Sequence, residues 1–477
     1  MLSLAEQFAI MKGLALKCLV IIVQILFLLP RVSSSQEFIG LWKGKIQADS
    51  LLEIKFNVLK QEPSVVWAIM TKPKICAFTD SCFNGKTLQL MAQKEKFALT
   101  GKITDNKNQF SGEFTINGKT YPVDLFRGEK PIYRPQEPNE PFPYYSEEVT
   151  FRNEKDSVVL SGTVTLPDKE GRFPAVILKG GSSPVSRDGE GTFHKNLLVI
   201  ADYLTRNGIA VLRYDDRGIG KSTGNFWTST AVNLSDDMIA GYKYLSSRDD
   251  IENNRIGLVG HSEGGMVVSI AAIQCKIIKF VIMLASPGIN FRNLSTIQRE
   301  SKFLLEDFPS SFHDFWLRTD SMIFTLLDRG KNSKEIFEET NSYLNDYFQN
   351  LPDSLRKISL LQTYLLINLR KRTSIHYLYL YNVKPTEIYQ KLTCPVLSLN
   401  GTNDIHVPAR INQAAIRQAL LVGGNKDFKI LEMGGLNHFF QECETGSEKE
   451  ALAIAQTISP KVLEIITEWI LQHSGIE

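Results

Sequence analysis

The chain has 477 residues, more than one ordinary hydrophobic core organises, so two or three domains are expected. Its 54 basic and 52 acidic residues leave a formal net charge of +2, which gives no basis for proposing nucleic acid as a partner. The composition is that of an ordinary globular protein, and the histidines and cysteines show no spacing typical of a structural metal site.

The first predicted element is a targeting segment over residues 1–35. Lys12 and Lys17 precede the apolar run CLVIIVQILFLLP, and three small residues, SSS, follow it, as in a cleaved secretory signal. An uncleaved membrane anchor is the alternative, but the apolar run falls short of the roughly 20 residues that a stable span needs. The sequence therefore predicts an exported protein, periplasmic or extracellular, with no stable membrane span after removal of the signal.

Export also permits disulfide bonds. Five cysteines remain once Cys18 is removed with the signal, and Cys76 and Cys82 are close enough in CAFTDSC to close a small loop. The alternative is that both are buried free thiols that pack as small hydrophobic side chains.

A small β-rich domain is predicted over residues 37–128. Apolar and polar residues alternate in segments such as QFSGEFTINGKTYPVDLF, and Asn117-Gly118 is typical of a hairpin turn between two such segments. The segment 129–148 follows and is rich in proline, which fixes φ and removes a hydrogen-bond donor. It is predicted to be an extended linker.

Residues 149–477 are predicted to form a doubly wound α/β domain. Six continuous apolar runs alternate with helix-like segments, a pattern typical of parallel strands that are buried on both faces: AVILKGG, GIAVLRYDD, RIGLVGHS, FVIMLASP, CPVLSLNG and FKILEMGG. About a hundred residues, near 291–392, interrupt this alternation and are rich in helix formers and aromatic residues. They predict a helical lid over the carboxyl edge of the sheet, where ligands bind in open α/β sheets.

The strongest chemical signal is Ser262, in IGLVGHSEGGMVVSIAA. The Gly-x-Ser-x-Gly pattern, with an apolar strand before it and a helix after it, places a serine hydroxyl on a sharp strand-to-helix turn. A hydroxyl is a weak nucleophile at neutral pH and needs an adjacent base. The alternative is a glycine-rich helix start without chemistry.

Candidates for the acid and the base follow the last two predicted strands. Asp404 comes directly after CPVLSLNG and His438 comes after FKILEMGG, so both belong to the sheet edge that carries Ser262. The order Ser, Asp, His is that of an α/β-hydrolase triad, in which the histidine moves the proton and the carboxylate orients the imidazole. Four rivals for these roles follow a strand end less directly or belong to packing: His261, His406, Asp427 and Glu442.

The oxyanion of an acyl-transfer intermediate needs two backbone N–H donors. The amide of Glu263, at the start of the helix after the serine, is one candidate. The loop KGGSSPVSRDG supplies the other, with Ser182 favoured over Ser183. The alternative is that this Gly-Ser loop serves turn geometry only.

These motifs resemble those of the serine carboxylesterase branch of the α/β-hydrolases, in particular secreted bacterial esterases with a β-rich N-terminal domain and a helical lid. The likeness rests on GHSEGG, NGTNDIHVP, GGLNHFFQ, LRYDDRGIGKSTG and the terminal ISPKVLEIITEWI. It implies a Ser262-Asp404-His438 hydrolase that needs no cofactor and no metal. Members usually read Ser-Gly-Ser-Gly where this chain reads Gly-Gly-Ser-Ser before Pro184, so the resemblance does not fix the second oxyanion donor.

The sequence therefore predicts a serine hydrolase that cleaves a small-molecule carboxylic ester through an acyl-enzyme intermediate. A serine peptidase of the same fold, acting on short peptides, is the first alternative, because ester and amide hydrolysis share this triad. A catalytically inert ligand-binding protein is the second alternative.

Overall fold

The computed structural model describes residues 40–474, apart from short gaps. The gaps are residues 48–50, 62–65, 73–75, 78–79, 84–86, 93–95, 105–107, 117, 128–133, 192–193, 306–309, 353–355 and 357–360. The predicted signal segment, 1–35, lies outside the described residues, as do the side chains of Cys76 and Cys82.

The chain divides into two compact units. The first comprises Met1–Tyr133, Asp307–Phe315 and Phe337–Arg370. The second comprises Arg134–Glu306, Trp316–Ile336 and Lys371–Glu477. Residues of the predicted lid, 291–392, fall in both units.

The first unit contains an antiparallel sheet of nine strands within its described residues. They are β1 (Gly40–Gln47), β2 (Leu51–Gln61), β3 (Val66–Lys72), β4 (Cys76–Ala77), β5 (Asp80–Phe83), β6 (Thr87–Ala92), β7 (Phe97–Ile103), β8 (Gln109–Ile116) and β9 (Lys119–Arg127), in the order β4-β3-β2-β1-β9-β8-β7-β6-β5. Residues 117–118 join β8 to β9, and Gly118 adopts a φ of +80° there, which favours glycine. Alternate side chains, among them Trp42, Phe110 and Phe114, form the buried core.

Part of the predicted linker is fixed by hydrogen bonds in the second unit. Arg134 donates to the carbonyl of Leu452 at 3.0 Å, and the Gln136 amide donates to that of Ile458 at 2.7 Å. Strand pairing resumes at Tyr145, inside the range 129–148. Prolines remove donors in this segment, but the side chains between them still bond to distant backbone carbonyls.

The second unit contains an eight-stranded mixed sheet that is mostly parallel, as the sequence predicts. Its strands are β10 (Tyr145–Asn153), β11 (Val158–Leu166), β12 (Phe173–Lys179), β15 (Ala210–Tyr214), β16 (Ile251–His261), β17 (Val281–Leu284), β18 (Val396–Gly401) and β19 (Phe428–Met433), in the order β10-β11-β15-β12-β16-β17-β18-β19; the two-residue strands β13 (Glu190–Gly191) and β14 (His194–Lys195) pair separately. The six neighbouring strands β15-β12-β16-β17-β18-β19 pair in parallel. At one edge, β10 and β11 form an antiparallel hairpin, and β11 also pairs antiparallel with β15.

Helices cover both faces of this sheet. They are α1 (Asn196–Arg206), α2 (Ala231–Ser246), α3 (Glu263–Gln274), α10 (Ala409–Val422), α11 (Glu448–Ala453) and α12 (Pro460–Ser474). Side chains alternate along β12, so that Ile177 packs in a cluster with α2, α3 and α10, while Leu178 packs in a second cluster with α1 and α12. A sheet buried on both faces explains why its strands are continuously apolar.

The described residues of the predicted lid are mainly helical. Its helices are α4 (Phe291–Leu305), α5 (Ser310–Asp328), α6 (Ser333–Gln349), α7 (Leu361–Arg372), α8 (Ile375–Asn382) and α9 (Pro385–Tyr389). Among the described residues, no helix combines the length and apolar character that crossing a bilayer requires.

Candidate active site

Ser262 occupies a sharp turn between β16 and α3. Its φ is +55° and its ψ is −127°, a backbone conformation that costs about 1–3 kcal/mol for a residue other than glycine. Its amide donates to the Leu284 carbonyl at 2.7 Å, which ties the turn to the neighbouring strand. A Cβ added at Gly260 would lie 2.2 Å from the carbonyl oxygen of Gly264, so the turn closes only with glycine at that position.

Asp404 and His438 are brought together at the ends of β18 and β19. The Nδ1–H of His438 donates to Asp404 Oδ2 at 2.7 Å, and both side chains are buried. The other carboxylate oxygen, Oδ1, accepts from the amides of His406 and Val407, each at 2.8 Å. These bonds fix the carboxylate and direct the imidazole, so that Nε2 of His438 has no hydrogen-bond partner among the described residues.

Ser262 and His438 are linked through the residue next to the serine. Nε2–H of His261 donates to the His438 carbonyl at 2.8 Å, and the two imidazole centroids are 4.7 Å apart. Within the described part of the chain, the Ser262 hydroxyl makes no hydrogen bond of its own. Catalytic hydrogen bonds often form only when substrate is bound, so this geometry is compatible with proton transfer to His438.

None of the four rivals bonds to the imidazole of His438. His261 is a packing residue, and burial together with the nearby His438 lowers its pKa to about 3, so it stays neutral. Burial and the charge of Lys302 likewise hold the pKa of His406 well below its usual value. Asp427 lies 3.4 Å from His473, and Glu442 accepts from Gln456 and Ser459.

The two predicted oxyanion donors flank the serine. Within the described chain, the backbone N–H groups of Ser182 and Glu263 have no hydrogen-bond acceptor. A Cβ added at Gly181 would lie 3.5 Å from Ser262 Oγ, which places the loop before Ser182 directly against the Ser262 side chain. Both amides are therefore available to a ligand.

A buried ion pair anchors the loop 180–184. Lys179, at the end of β12, donates to Asp216 Oδ1 at 2.7 Å, and both side chains are almost completely buried. Asp216 Oδ2 accepts from the Val185 amide at 3.1 Å. The loop 180–184 is thus anchored at both ends.

Three functional candidates were absent from the predictions, and all lie on α7 and α8 of the lid. His376 Nε2 lies 3.0 Å from Glu263 Oε2, with both side chains buried. Lys371 Nζ donates to Ser183 Oγ at 2.9 Å, and the Tyr377 hydroxyl lies 3.5 Å from Ser182 Oγ. Their sequence positions gave no signal, because more than a hundred residues separate each from its partner.

The fold and the placement of these residues at strand ends define an α/β-hydrolase. A family model described as serine aminopeptidase, S33, matches residues 194–438, just over half of the chain, and the match ends at His438. The chain belongs to this family and is a hydrolase.

Similar proteins cover between about two thirds and nine tenths of the chain. Esterase EstD of Thermotoga maritima is 23% identical over 424 residues, which are 88% of this chain and 89% of that protein. An esterase structure from Pyrococcus furiosus has a TM-score of 0.45 and 17% identity, covering 73% of this chain and all of that one. The structure of DcsB with a substrate analogue has a TM-score of 0.45 and 18% identity, covering 69% of this chain and all of that one.

Proposed function

We propose that the protein is a carboxylesterase that uses Ser262, His438 and Asp404 through an acyl-enzyme intermediate. The observation that carries this proposal is the buried 2.7 Å hydrogen bond between His438 and Asp404, with Nε2 of His438 left for a hydroxyl. The 23% identity to an esterase over 88% of the chain supports an ester as the substrate.

In the first half-reaction, Ser262 Oγ attacks the ester carbonyl carbon while His438 Nε2 takes its proton. The carbonyl oxygen becomes an oxyanion, which the free amides of Ser182 and Glu263 stabilise. The intermediate collapses when the C–O bond to the alcohol breaks and His438 returns the proton to the leaving oxygen. Asp404 accepts from Nδ1–H throughout and stabilises the imidazolium.

In the second half-reaction, water attacks the acyl-serine carbonyl and gives a proton to His438. The second tetrahedral intermediate then releases the carboxylic acid, and His438 returns this proton to Ser262 Oγ. Each half-reaction uses the same two oxyanion donors, so loss of either donor slows both.

An aminopeptidase activity is the second candidate, because the family description names one. Binding a free amino terminus requires a carboxylate that is not engaged elsewhere. Each carboxylate next to the triad has a lysine or histidine partner through one oxygen: Glu263 with His376 at 3.0 Å, Glu448 with Lys302 at 2.6 Å and Asp404 with His438 at 2.7 Å. This arrangement favours an ester over a peptide.

The experiment compares hydrolysis of p-nitrophenyl butyrate with that of leucine p-nitroanilide. We expect ester turnover, a loss of at least about 10³-fold in kcat for Ser262→Ala, and much slower release of the anilide. Ser247→Ala, an exposed serine at the end of α2, serves as the matched control. Faster turnover of the anilide than of the ester would establish the peptidase instead.

A further inference from the structure

A lysine of the lid lies against the loop that carries the Ser182 amide. Lys371 Nζ donates to Ser183 Oγ at 2.9 Å. It also lies 5.3 Å from the ring centroid of Tyr377 and 5.8 Å from that of Trp227, within the range of cation–π attraction. The ammonium group is thus held in place by one hydroxyl and two aromatic faces, and it is half-buried.

This ammonium group has no carboxylate partner among the described residues. Glu448, the carboxylate on which the charge of Lys371 acts, is already bonded to Lys302 at 2.6 Å. A half-buried cation without a counter-ion favours the approach of an anion, because surrounding protein weakens the screening by water.

The charge of Lys371 also reaches the other side of the catalytic site. Burial raises the pKa of Glu448, but the charge and hydrogen bond of Lys302, the neighbouring His406 and the charge of Lys371 lower it to about 2. The pKa of His406, whose imidazole centroid is 4.9 Å from that of His438, is lowered by burial, by Lys302 and by other charges that include Lys371. The charge of Lys371 therefore acts on groups on the His406 side of His438 as well as on the loop at Ser183.

Lys371 is also within reach of a substrate bound at Ser262. A Cβ added at Gly181 would lie 3.5 Å from Ser262 Oγ, and Gly181 is two residues from Ser183, the partner of Lys371. Two residues of chain span at most about 7 Å. The ammonium group therefore lies on the loop that borders Ser262, and a substrate that presents its carbonyl to the serine can extend a second group along this loop toward Lys371.

We propose that Lys371 recognises an anionic group on the substrate, so that the enzyme prefers esters that carry a carboxylate a few carbon atoms from the scissile carbonyl. Such a carboxylate accepts from Lys371 Nζ, and the Tyr377 hydroxyl, which lies beside Ser182, is a second donor on the same side. This inference rests on the proposed esterase function and names its substrate class. It also disfavours a free amino terminus, which the ammonium repels.

The test measures kcat/KM for size-matched p-nitrophenyl esters, the monoglutarate as the anionic ester and the valerate as the neutral one. A butyrate ester of 4-hydroxybenzoate places the anion on the alcohol side and reports which part of the ester Lys371 contacts. We expect the wild type to prefer one of the anionic esters. In Lys371→Met, the ratio of kcat/KM for that ester over its neutral counterpart should fall by about 10- to 100-fold.

Two control variants test whether the effect depends on the positive charge of Lys371. Lys371→Arg keeps the positive charge and should retain most of the preference, while Lys461→Met removes an exposed lysine of α12 and should leave the wild-type ratio. Raising the salt concentration should reduce the preference in the wild type. An equal loss of activity toward anionic and neutral esters in Lys371→Met would overturn the proposal, because it would show that Lys371 only supports the loop.

Failure of this inference is distinguishable from failure of the esterase assignment. A wild type that hydrolyses neutral esters as well as anionic ones refutes the role of Lys371 and leaves the esterase intact. A wild type that hydrolyses none of these esters refutes the esterase assignment, and the inference about Lys371 falls with it.

Discussion

Asp404 is the residue whose hydrogen bonds define the candidate site most sharply. Its Oδ1 is occupied by the amides of His406 and Val407, so only Oδ2 is directed at His438. A carboxylate held in this way accepts from the imidazole Nδ1–H and leaves the lone pair on Nε2, which is the tautomer that a general base needs.

The first prediction concerns Asp404→Asn. An asparagine still accepts from the two amides through its carbonyl oxygen, but its NH₂ group then faces His438 Nδ1. The imidazole must accept there and carry its proton on Nε2, where it can no longer take the proton of Ser262. We expect kcat for p-nitrophenyl butyrate to fall by roughly 10³- to 10⁴-fold, with little change in melting temperature.

The control for this variant is Asp427→Asn. Asp427 is the other aspartate near the last strand, and it is exposed and lies beside His473. A large loss of kcat in Asp427→Asn, with normal kcat in Asp404→Asn, would reverse the assignment of the acid.

His194 gives a prediction about stability and pH. It is fully buried, its Nε2 accepts from the Gln441 amide at 2.8 Å and its Nδ1 bonds to Thr457 Oγ1 at 3.0 Å. Burial and the charge of Arg134 lower its pKa to about 4. Since an unfolded histidine has a pKa near 6.5, the unfolded chain takes up a proton below that pH while the folded protein does not.

The free energy of unfolding therefore falls as the pH drops from about 6.5 toward 4. The contribution of His194 to this loss between pH 7 and pH 5 is on the order of 2 kcal/mol. Urea unfolding at both pH values should show a smaller pH dependence, by about that amount, in His194→Gln than in the wild type. The same pH dependence in both proteins would show that His194 does not titrate in this way.

At the scale of elements, α8 and the start of α3 are joined by a buried polar pair. His376 Nδ1–H donates to the Ser229 carbonyl at 2.9 Å, so its bond to Glu263 needs one more proton, on Nε2 or on the carboxyl group. Glu263 is the residue after Ser262, and its second carboxylate oxygen is buried without a partner within the described chain. The pair therefore links the lid helix to the serine turn.

The third prediction uses this pair. His376→Phe removes the only polar partner that the structure gives the Glu263 side chain among the described residues, and an unpaired buried carboxylate costs about 3–5 kcal/mol of unfolding free energy. Glu263→Met combined with His376→Phe removes both members and should recover part of that loss. The measurement is chemical unfolding of the two variants; a double variant less stable than the single one would contradict the account.

The elements differ in how far the sequence predicts them. The strands from β12 to β19 in the main sheet follow from continuous apolar runs, and Ser262, Asp404 and His438 follow from their positions after three of those strands. The sequence did not predict the hairpin of β10 and β11, because β10 lies at the edge of the sheet and its exposed polar residues directly follow prolines. The apolar–polar alternation of Val149, Thr150, Phe151 and Arg152 matches the alternating burial of β10 and is the sequence signal that could have found this strand.

The lid contacts could not be predicted for a different reason. Lys371 and Ser183 are 188 residues apart, and His376 and Glu263 are 113 apart. A composition rich in helix formers predicts that this region is helical, but it does not determine which side chains of α7 and α8 reach the sheet edge. That depends on how the lid packs, and packing is a property of tertiary structure.

At the scale of the whole molecule, the chain has two units with separate apolar cores. The first is centred on Trp42, Phe110 and Phe114, and the second surrounds the eight-stranded sheet. All residues of the proposed catalytic site belong to the second unit. The export predicted from residues 1–35 remains a proposal, which N-terminal sequencing of the mature protein tests.

The most direct test of the central claim is the intact mass of the whole protein after treatment with a fluorophosphonate, beside Ser262→Ala. A strained turn, a His438–Asp404 pair and two free amides should activate one serine, so we expect one adduct on the wild type and none on the variant. An unlabelled wild type that is folded, or an adduct that persists in Ser262→Ala, would contradict the assignment of Ser262 as the nucleophile.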